Sequence, residues 1–394
     1  MDTPAADILA NVDLFADDQR EHLLDALAIA RRECPVVHTR TDGGYYMVTR
    51  YEDVRTVCMR PAIFSSAQPG VRGVPVRLIP LDVDPPDHRQ YRKFLEAYFS
   101  RSFLLRYAEQ MREIARDAIA GFIDKGRVEM VRDYSVPFSA GSLARVVFAT
   151  DNMELMRRGV AAVKRCAIES TPETFEAVAL LAMEAIAEAG DPPASAEHEN
   201  VLSALARASV DGRPLTKEEQ VAIVTTLLLG GLDTTRGVIV NIAYHLATRA
   251  DIEPILRSPD WWRGPMDEFL RFETTVAFMA RTVTQDTELA GTPLKAGDRV
   301  VLQFYSANRD AERFDRPDEL VFDRRINPHL AFGAGVHRCI GQNFARIQLV
   351  IAFEELLKQA TNFRLEAGAD IPRQVGEPFG SPSELYLTFD RRGG

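Results

Sequence analysis

Cysteine is scarce in this sequence, with four residues in a chain of 394. They are Cys34, Cys58, Cys166 and Cys339. Their scattered spacing predicts no disulfide framework, and they are too few and too dispersed to predict an iron–sulfur cluster. Such a set of isolated thiols favours a reducing compartment, and we expect a cytoplasmic protein.

Long apolar runs at the start, flexible linkers and an excess of positive charge are also lacking. The first residues, 1–30, carry several aspartates and no long apolar run, which predicts neither a signal peptide nor a membrane anchor. The length alone suggests two or three domains, but no Ser/Gly/Pro-rich linker divides the chain, so we expect a single domain over residues 1–394. A net charge of −10 argues against nucleic-acid binding through bulk charge.

What the sequence does contain is a glycine-rich loop, residues 332–341, that leads into a helical pattern near Gln342. Cys339 stands at that helix start, where the helix dipole and unpaired backbone N–H groups favour a thiolate. The loop carries three glycines, Gly333, Gly335 and Gly341. Glycines let the backbone approach a flat group closely, and a single thiolate is one way in which proteins hold a haem iron. Taken alone, a single cysteine at this position favours an ordinary buried thiol, and only the whole ten-residue pattern favours a ligand.

A second unusual stretch lies in the middle of the longest predicted helix, which begins at a capping box of Thr216 and Glu219 and runs to about Arg249. Two adjacent glycines there cost roughly 1 kcal/mol each relative to alanine, so something needs the space. One face presents Gly230, Asp233, Thr234 and Gly237. Mid-helix Asp or Thr can bond preceding carbonyls and open a groove for waters or a small ligand. The alternative is a notch where another helix crosses.

Two further patterns carry charges at helical spacing. Asp84-Pro85-Pro86-Asp87-His88 predicts a helix start, and His88 and Arg92 share one helix face as either ligand contacts or surface cations. Glu268 and Arg271 lie among apolar neighbours, which favours a buried structural pair over chemistry. We expect Arg325 to belong to the same structural set.

Periodicity predicts the remaining local structure. Helices are expected over residues 20–33, 51–59, 103–125, 139–149 and 153–189, the last one broken at Pro172. Strands are expected over residues 36–39, 45–49, 282–289 and 300–304, with Gly291 and Gly297 in turns. The loop over residues 61–80 is broken by prolines and glycines.

Four motifs together resemble the cytochrome P450 family. They are Phe-x-x-Gly-x-His-x-Cys-x-Gly at 332–341, Gly-Gly-x-Asp-Thr-Thr at 230–235, Glu-x-x-Arg at 268–271, and Asp-Pro-Pro-Asp-His-Arg-x-x-Arg at 84–92. The resemblance extends from about residue 35 to the end. It implies a mainly α fold, a helical triangular prism, with a smaller β-rich part at about 35–60, 276–304 and 370–390.

The resemblance also implies site roles. Haem b would be held with Cys339 as the iron ligand, and Asp233 and Thr234 would manage protons and dioxygen. The other implied cofactor contacts are His88, Arg92, Gly230, Arg281, Phe332, Gly333, His337 and Gly341. The implied substrate pocket comprises Leu228, Val276, Phe278, Met279 and Phe379.

The implied activity is monooxygenation of a small to medium lipophilic substrate by O2, through hydroxylation or epoxidation. Electrons would come from a ferredoxin and its NAD(P)H-dependent reductase, docking near Arg89, Lys93, Arg338 and Arg346. Arg72 or Arg77 leaves a carboxylic acid substrate open. The alternatives are a peroxide-driven haem-thiolate peroxygenase and a non-enzymatic haem sensor or carrier.

Overall fold

The computed structural model describes residues 9–15, 20–190, 200–368 and 380–392. Helices make up most of this part of the chain. In order they are α1 Arg20–Glu33, α2 Tyr51–Met59, α3 His88–Glu96, α4 Arg101–Leu105, α5 Ala108–Ala120, α6 Val136–Leu143, α7 Met153–Glu169, α8 Pro172–Ala189, α9 Val201–Leu205, α10 Lys217–Gly231, α11 Thr234–Thr248, α12 Ile252–Arg257, α13 Pro265–Phe272, α14 Phe304–Ala307 and α15 Gln342–Gln359. Wider π-helical turns, Met130–Ser135 and Ala144–Phe148, flank α6 on its two sides.

The strands form a five-stranded sheet and smaller sheets. In order they are β1 Val36–Thr39, β2 Tyr45–Val48, β3 Phe64–Ser65, β4 Arg127–Glu129, β5 Ser209–Val210, β6 Arg213–Pro214, β7 Phe278–Val283, β8 Thr287–Leu289, β9 Thr292–Leu294, β10 Arg299–Gln303, β11 Ala360–Leu365 and β12 Tyr386–Arg391. The largest sheet has the order β1-β2-β10-β7-β3, in which only the β2–β10 pair is parallel. Its register sets Val301 opposite Ala280, and both are fully buried.

The core runs along α10 and α11, which are buried on most of their surface. The stretch Lys217–Thr248 is long and apolar enough to cross a membrane, but 72% of its apolar window is buried inside the protein. Burial on all sides explains a hydrophobic helix without an amphipathic face. Helix α8 packs against α10, and α5 packs against α15. This arrangement places the middle of the α10–α11 stretch close to the loop that precedes α15.

Several local predictions match the structure. The helices at 20–33 and 51–59 have the expected bounds, and the break at Pro172 separates α7 from α8. The capping box at the start of α10 is present, since the Thr216 hydroxyl accepts from the Glu219 N–H at 3.2 Å. At these positions the local sequence and the tertiary packing favour the same secondary structure.

Other local predictions were wrong in their boundaries. The helix expected to start at Asp84 starts at His88, because the Asp84 carboxylate accepts hydrogen bonds from the Ser66 N–H at 2.8 Å and from the Ser65 hydroxyl. These bonds draw the turn onto β3. The helix expected over residues 103–125 is two helices, α4 and α5, separated at Arg106 and Tyr107.

Two more boundaries differ in the region of α6 and β7. The helix expected over residues 139–149 begins earlier, at Val136, and Pro137 lies in its first turn, where its missing N–H has no cost. The strand expected over residues 282–289 begins earlier and ends at Val283, and β8 and β9 form a separate hairpin. Ala290 and Gly291 make its turn, both with positive φ.

The Glu268–Arg271 pair is buried as expected and holds together the chain that leads to the glycine-rich loop. The Arg271 guanidinium is fully buried and donates to Glu268 at 2.8 and 2.9 Å and to three backbone carbonyls. Arg325 was expected to join this set, but Arg324 donates to Glu268 instead, at 3.1 Å, while Arg325 is exposed. Side-chain direction in an irregular turn is not encoded in spacing, so the sequence could not separate these neighbours.

Candidate functional site

A cavity of about 420 Å³ lies between the glycine-rich loop and the junction of α10 and α11. Phe332, Gly333 and Cys339 line one wall, and Gly230 and Thr234 line another. The two stretches that the sequence singled out therefore face the same space. Because they are about a hundred positions apart in the chain, only the fold brings them together.

Cys339 is held at the cavity wall by its backbone. Its N–H donates to the Phe332 carbonyl at 2.8 Å, and Gly333 and Gly335 adopt positive φ values of 66° and 68°. The Cys339 side chain is exposed to the cavity. Desolvation by the surrounding protein raises the pKa of its thiol, while the N–H groups of Gly341 and Gln342 and the charges of Arg92 and Arg338 lower it, and the net effect is a rise. The N–H groups at the helix start favour the thiolate, as the sequence predicts, but desolvation has the larger effect on the pKa of Cys339.

Gly335 is the position in this loop that least tolerates a side chain. A Cβ there would collide with the Cys58 carbonyl, and φ is already in the left-handed region. We expect Gly335→Ala to lower the free energy of unfolding by about 1–3 kcal/mol, seen as a lower melting temperature. The matched control is Gly73→Ala, where a Cβ meets nothing within 4 Å. Equal melting temperatures for the two variants would contradict the prediction.

A cluster of cationic and imidazole side chains lies at another part of the cavity wall. The rings of His88 and His337 are 4.4 Å apart, and the Nε2 atom of each is buried without a hydrogen-bond partner. Burial, with Arg281, His88 and Arg92 nearby, lowers the pKa of His337 to about 3. Burial also lowers the pKa of Arg281, whose guanidinium donates to the Ala280 carbonyl at 2.7 Å.

The charge balance of this cluster indicates an anionic ligand. Of the acidic groups, Asp84 is the nearest to His337, at 4.0 Å, and Arg92 pairs with the largely exposed Glu96. Buried donors without acceptors cost free energy unless a ligand satisfies them. Carboxylates of a bound molecule would provide the missing acceptors.

The predicted central helix is interrupted where the two glycines and the acid–threonine pair lie. It ends at Gly231 and resumes at Thr234, whose hydroxyl donates to the Gly230 carbonyl at 2.7 Å. This is the backbone distortion expected of a mid-helix threonine. A Cβ on Gly230 would meet nothing within 4 Å, whereas one on Gly231 would meet Leu143 at 2.9 Å. Gly230 therefore leaves open space at the cavity, and Gly231 allows close helix packing.

Asp233 is buried beside this break but does not line the cavity. Its carboxylate accepts from Arg236 Nε at 2.6 Å, and both side chains are less than a tenth exposed. Sequence reasoning missed Arg236, although its i, i+3 spacing from Asp233 was a usable signal.

Some of the residues predicted for the substrate pocket line the cavity, and others do not. Val276, Phe278 and Met279 line the cavity as expected. Leu228 does not: it is 1% exposed and packed in the helical core, because it points to the opposite face of α10. Phe379 lies outside the described residues. Other lining residues were missed as pocket candidates, namely Phe15, Cys166, Leu227 and Leu229.

Phe15 shows why part of the wall was not predictable. It comes from the segment at 9–15 and its ring meets that of Phe278 edge-to-face at 6.0 Å. The Arg72 guanidinium stacks 4.2 Å above the Phe15 ring and pairs with Asp42 at 2.8 Å. Arg77 pairs with Asp82 at 2.9 Å. Neither arginine lines the cavity, so the structure gives no support to either as a partner of an acidic substrate.

The site fits an iron porphyrin with two carboxylates. A thiol stands at one wall, an open glycine at the facing helix, and unpaired buried donors at the edge. Within the described residues no group of three or more His, Cys, Asp or Glu side chains is placed to hold a metal ion.

Known proteins are similar to this chain in fold and in sequence. A family model described as Cytochrome P450 matches residues 265–387. Nocardicin C N-oxygenase of Nocardia uniformis is 30% identical, over 95% of this chain and 98% of its own length. Steroid C26-monooxygenase of Mycolicibacterium smegmatis is 28% identical, over 89% of each chain. The structure of a P450 EryK mutant in complex with erythromycin B aligns with a TM-score of 0.85 and 26% identity, covering 97% of this chain and 100% of that one.

Proposed function

This chain belongs to the cytochrome P450 family and is a haem-thiolate monooxygenase, and from that premise we propose that it oxygenates a neutral, lipophilic, small to medium substrate with electrons from a ferredoxin. The fold and the haem b cofactor follow from the family. We propose the substrate class, the electron donor and the role of each residue. The main observation in support is the charge distribution of the cavity.

We assign the residues that hold haem b from the chemistry of the cavity wall. Cys339 is the iron ligand, with Phe332, Gly333 and Gly341 forming the loop around the sulfur. His88, Arg92, Arg281 and His337 are the partners of the propionates, which would bind the Nε2 atoms of His88 and His337 that are buried without a hydrogen-bond partner. When bound in this way, haem b supplies the centre at which dioxygen is reduced and one oxygen atom is transferred to substrate.

The chain contributes proton handling at the helix break. The Thr234 hydroxyl donates a hydrogen bond to the Gly230 carbonyl at 2.7 Å, so its oxygen can still accept a hydrogen bond from the cavity side. The open space at Gly230 admits water next to that hydroxyl. Asp233, one residue away and buried, is the acid that exchanges protons through this water.

We expect Thr234→Ala to reduce product formation by about tenfold while electrons continue to be consumed, because the hydroxyl that positions water is lost. The measurement is product formed per NAD(P)H oxidised, with peroxide as the alternative sink. Thr226→Ala is the matched control: Thr226 also lines the cavity, and its hydroxyl bonds the Ala222 carbonyl at 2.9 Å. Equal loss in both variants would remove Thr234 from the proposed role.

The cavity supports a neutral lipophilic substrate. None of the described residues that line it is acidic, and its cations are the group assigned to the propionates together with Arg338, which follows His337 in the loop. The remaining wall is apolar, with threonines and one serine as its polar points. A charged substrate would lose its hydration there without gaining a partner.

A spectral titration panel tests the substrate class. The names of the similar proteins suggest a steroid, nocardicin C and erythromycin B as members, alongside a terpenoid and its carboxylic acid. We expect neutral members to displace the water on the ferric iron and the acid to bind at least about tenfold more weakly than its neutral parent. Tighter binding of the acid would contradict the proposal.

The electron donor is assigned from the outer surface near Cys339. Arg89, Lys93 and Arg338 are exposed there, whereas Arg346 pairs with Asp267 at 2.5 Å and stacks on Phe332. A basic patch on a chain of net charge −10 suits a small acidic partner. Reduction by a ferredoxin should slow steeply as salt rises, because exposed charges are screened.

One assay separates this function from its alternatives. Purified protein is given a ferredoxin, its reductase and NADH, or peroxide alone, with a substrate from the panel. Product with the electron chain supports a monooxygenase, product only with peroxide supports a peroxygenase, and binding without product supports a sensor or carrier.

A further inference from the structure

Arg236 is a buried cation that joins α11 to the chain segment 380–382. It is 6% exposed. Its guanidinium donates to the Asp233 carboxylate at 2.6 Å, to the Ser381 hydroxyl at 3.1 Å and to the Pro382 carbonyl at 3.4 Å. One planar fork therefore ties the acid at the helix break to a segment that is 146 positions away.

The same segment is fixed to the cavity wall. The Gly380 N–H donates to the Thr275 carbonyl at 2.9 Å, and Asn241 on α11 donates to the Gly380 carbonyl at 2.9 Å. Thr275 lines the cavity. A Cβ on Gly237 would stand 2.9 Å from Thr275 and 3.0 Å from Ser381, so this glycine lets the segment lie directly on the helix.

The orientation of Asp233 depends on this arrangement. Neither Asp233 nor Arg236 lines the cavity, although Thr234 and Thr235 between them do. Among the hydrogen bonds of the described residues, the Asp233 carboxylate accepts from Arg236. A buried carboxylate without its cation either takes up a proton or turns toward water, and the cavity adjoins Asp233 at the next residue, Thr234.

We infer that Arg236 is a positioning residue that holds the Asp233 carboxylate outside the cavity and couples it, through segment 380–382 and Thr275, to the wall that contacts substrate. This inference rests on the proposed role of Asp233 in proton exchange. Substrate that moves the wall at Thr275 shifts the anchor of Arg236, and with it the access of Asp233 to water in the cavity.

Four variants test the inference: Arg236→Met, which keeps the length and removes the charge, Asp233→Asn, the double variant, and Asn241→Ala. Asn241→Ala is the matched control, because it loosens Gly380 without touching Asp233. The thiolate-type absorption of the reduced carbon-monoxide complex shows that each variant is folded and loaded. Ser381→Ala, which removes a single contact of Arg236, replaces Arg236→Met if the latter does not fold.

The expected result is non-additive. Arg236→Met should lower kcat about tenfold with little change in KM and change the solvent isotope effect, because the Asp233 carboxylate loses the orientation, fixed by Arg236, from which it exchanges protons with the water beside Thr234. It should have no further effect in the Asp233→Asn background. A crystal structure of the Arg236→Met holoenzyme should show the Asp233 carboxylate turned toward the cavity. Asn241→Ala should change the substrate dissociation constant in the ferric titration and leave the isotope effect unchanged.

Two results would overturn the inference. One is independent, multiplying effects of Arg236→Met and Asp233→Asn on kcat; the other is a lower melting temperature for Arg236→Met with kcat, isotope effect and Asp233 orientation unchanged. Product formation by the unaltered enzyme establishes the function separately. An Asp233→Asn variant with normal turnover would reject the role of Asp233 and this inference together, while the monooxygenase assignment would stand.

Discussion

Cys339→Ser is expected to abolish monooxygenase turnover, with a loss greater than about 100-fold, since changing a residue that merely supports a metal ligand already costs about 10- to 100-fold. A serine hydroxyl is far less acidic than a thiol and gives iron a weak, hard ligand without the electron donation that favours O–O cleavage. The measurement is product formation with the ferredoxin system, together with the absorption of the reduced carbon-monoxide complex. The thiolate-type band should be absent.

The matched control is Cys166→Ser. Cys166 also lines the cavity, and burial raises the pKa of its thiol to about 11, so it remains a neutral thiol. This variant should keep the thiolate-type band and change activity only through its contact with substrate. If Cys339→Ser kept the thiolate-type band and Cys166→Ser lost it, Cys166 would be the iron ligand and the central assignment would be rejected.

Arg271→Ala is expected to lower the free energy of unfolding by about 3–5 kcal/mol, which is a large part of the stability of a typical domain. The change leaves Glu268 charged and buried without its main partner, and it frees the carbonyls of Asn308, Pro317 and Glu319. Arg271→Lys should fail almost as badly, because an ammonium group cannot reach these acceptors as a planar fork does.

The measurement is denaturant unfolding followed by circular dichroism, with recovery of soluble protein as a first indication. Lys295→Ala is the control, because Lys295 pairs with Asp286 at 2.8 Å while both side chains are mostly exposed. Its effect should stay within about 0.5 kcal/mol. A similar loss of unfolding free energy in both variants would show that the buried pair contributes no more to stability than the exposed one.

The pH dependence of stability provides a second readout of the same pair. Burial raises the pKa of Glu268, but hydrogen bonds from Arg271, the Val321 N–H and Arg324 outweigh it, so the net pKa is lowered from 4.5. A lowered carboxylate pKa contributes stability that is present above pH 4.5 and is lost as the pH falls through the folded-state value. Variants without Arg271 should lose less stability on acidification than the unaltered protein.

The sequence by itself determined the chemical class of the site. The loop at 332–341 and the Gly-Gly-x-Asp-Thr stretch are contiguous, and each has residue types that suit its backbone: glycines at 333 and 335, where the structure has positive φ, and a threonine at the helix distortion. Contiguous motifs carry their own geometry, because glycine freedom and side-chain bonds to nearby carbonyls act within a few residues. For the same reason, α1, α2 and the break at Pro172 were predictable.

Only the tertiary structure decided which side chains share a space. Cys339 and Gly230 line the same cavity, and Phe15 lines it as well. Arg324, and not Arg325, donates a hydrogen bond to Glu268, and Leu228 packs in the core. The tertiary structure also added a desolvation of the Cys339 thiol, which raises its pKa more than the N–H groups at the helix start lower it. Desolvation and long-range contact depend on what packs around a group, and spacing along the chain does not encode that packing.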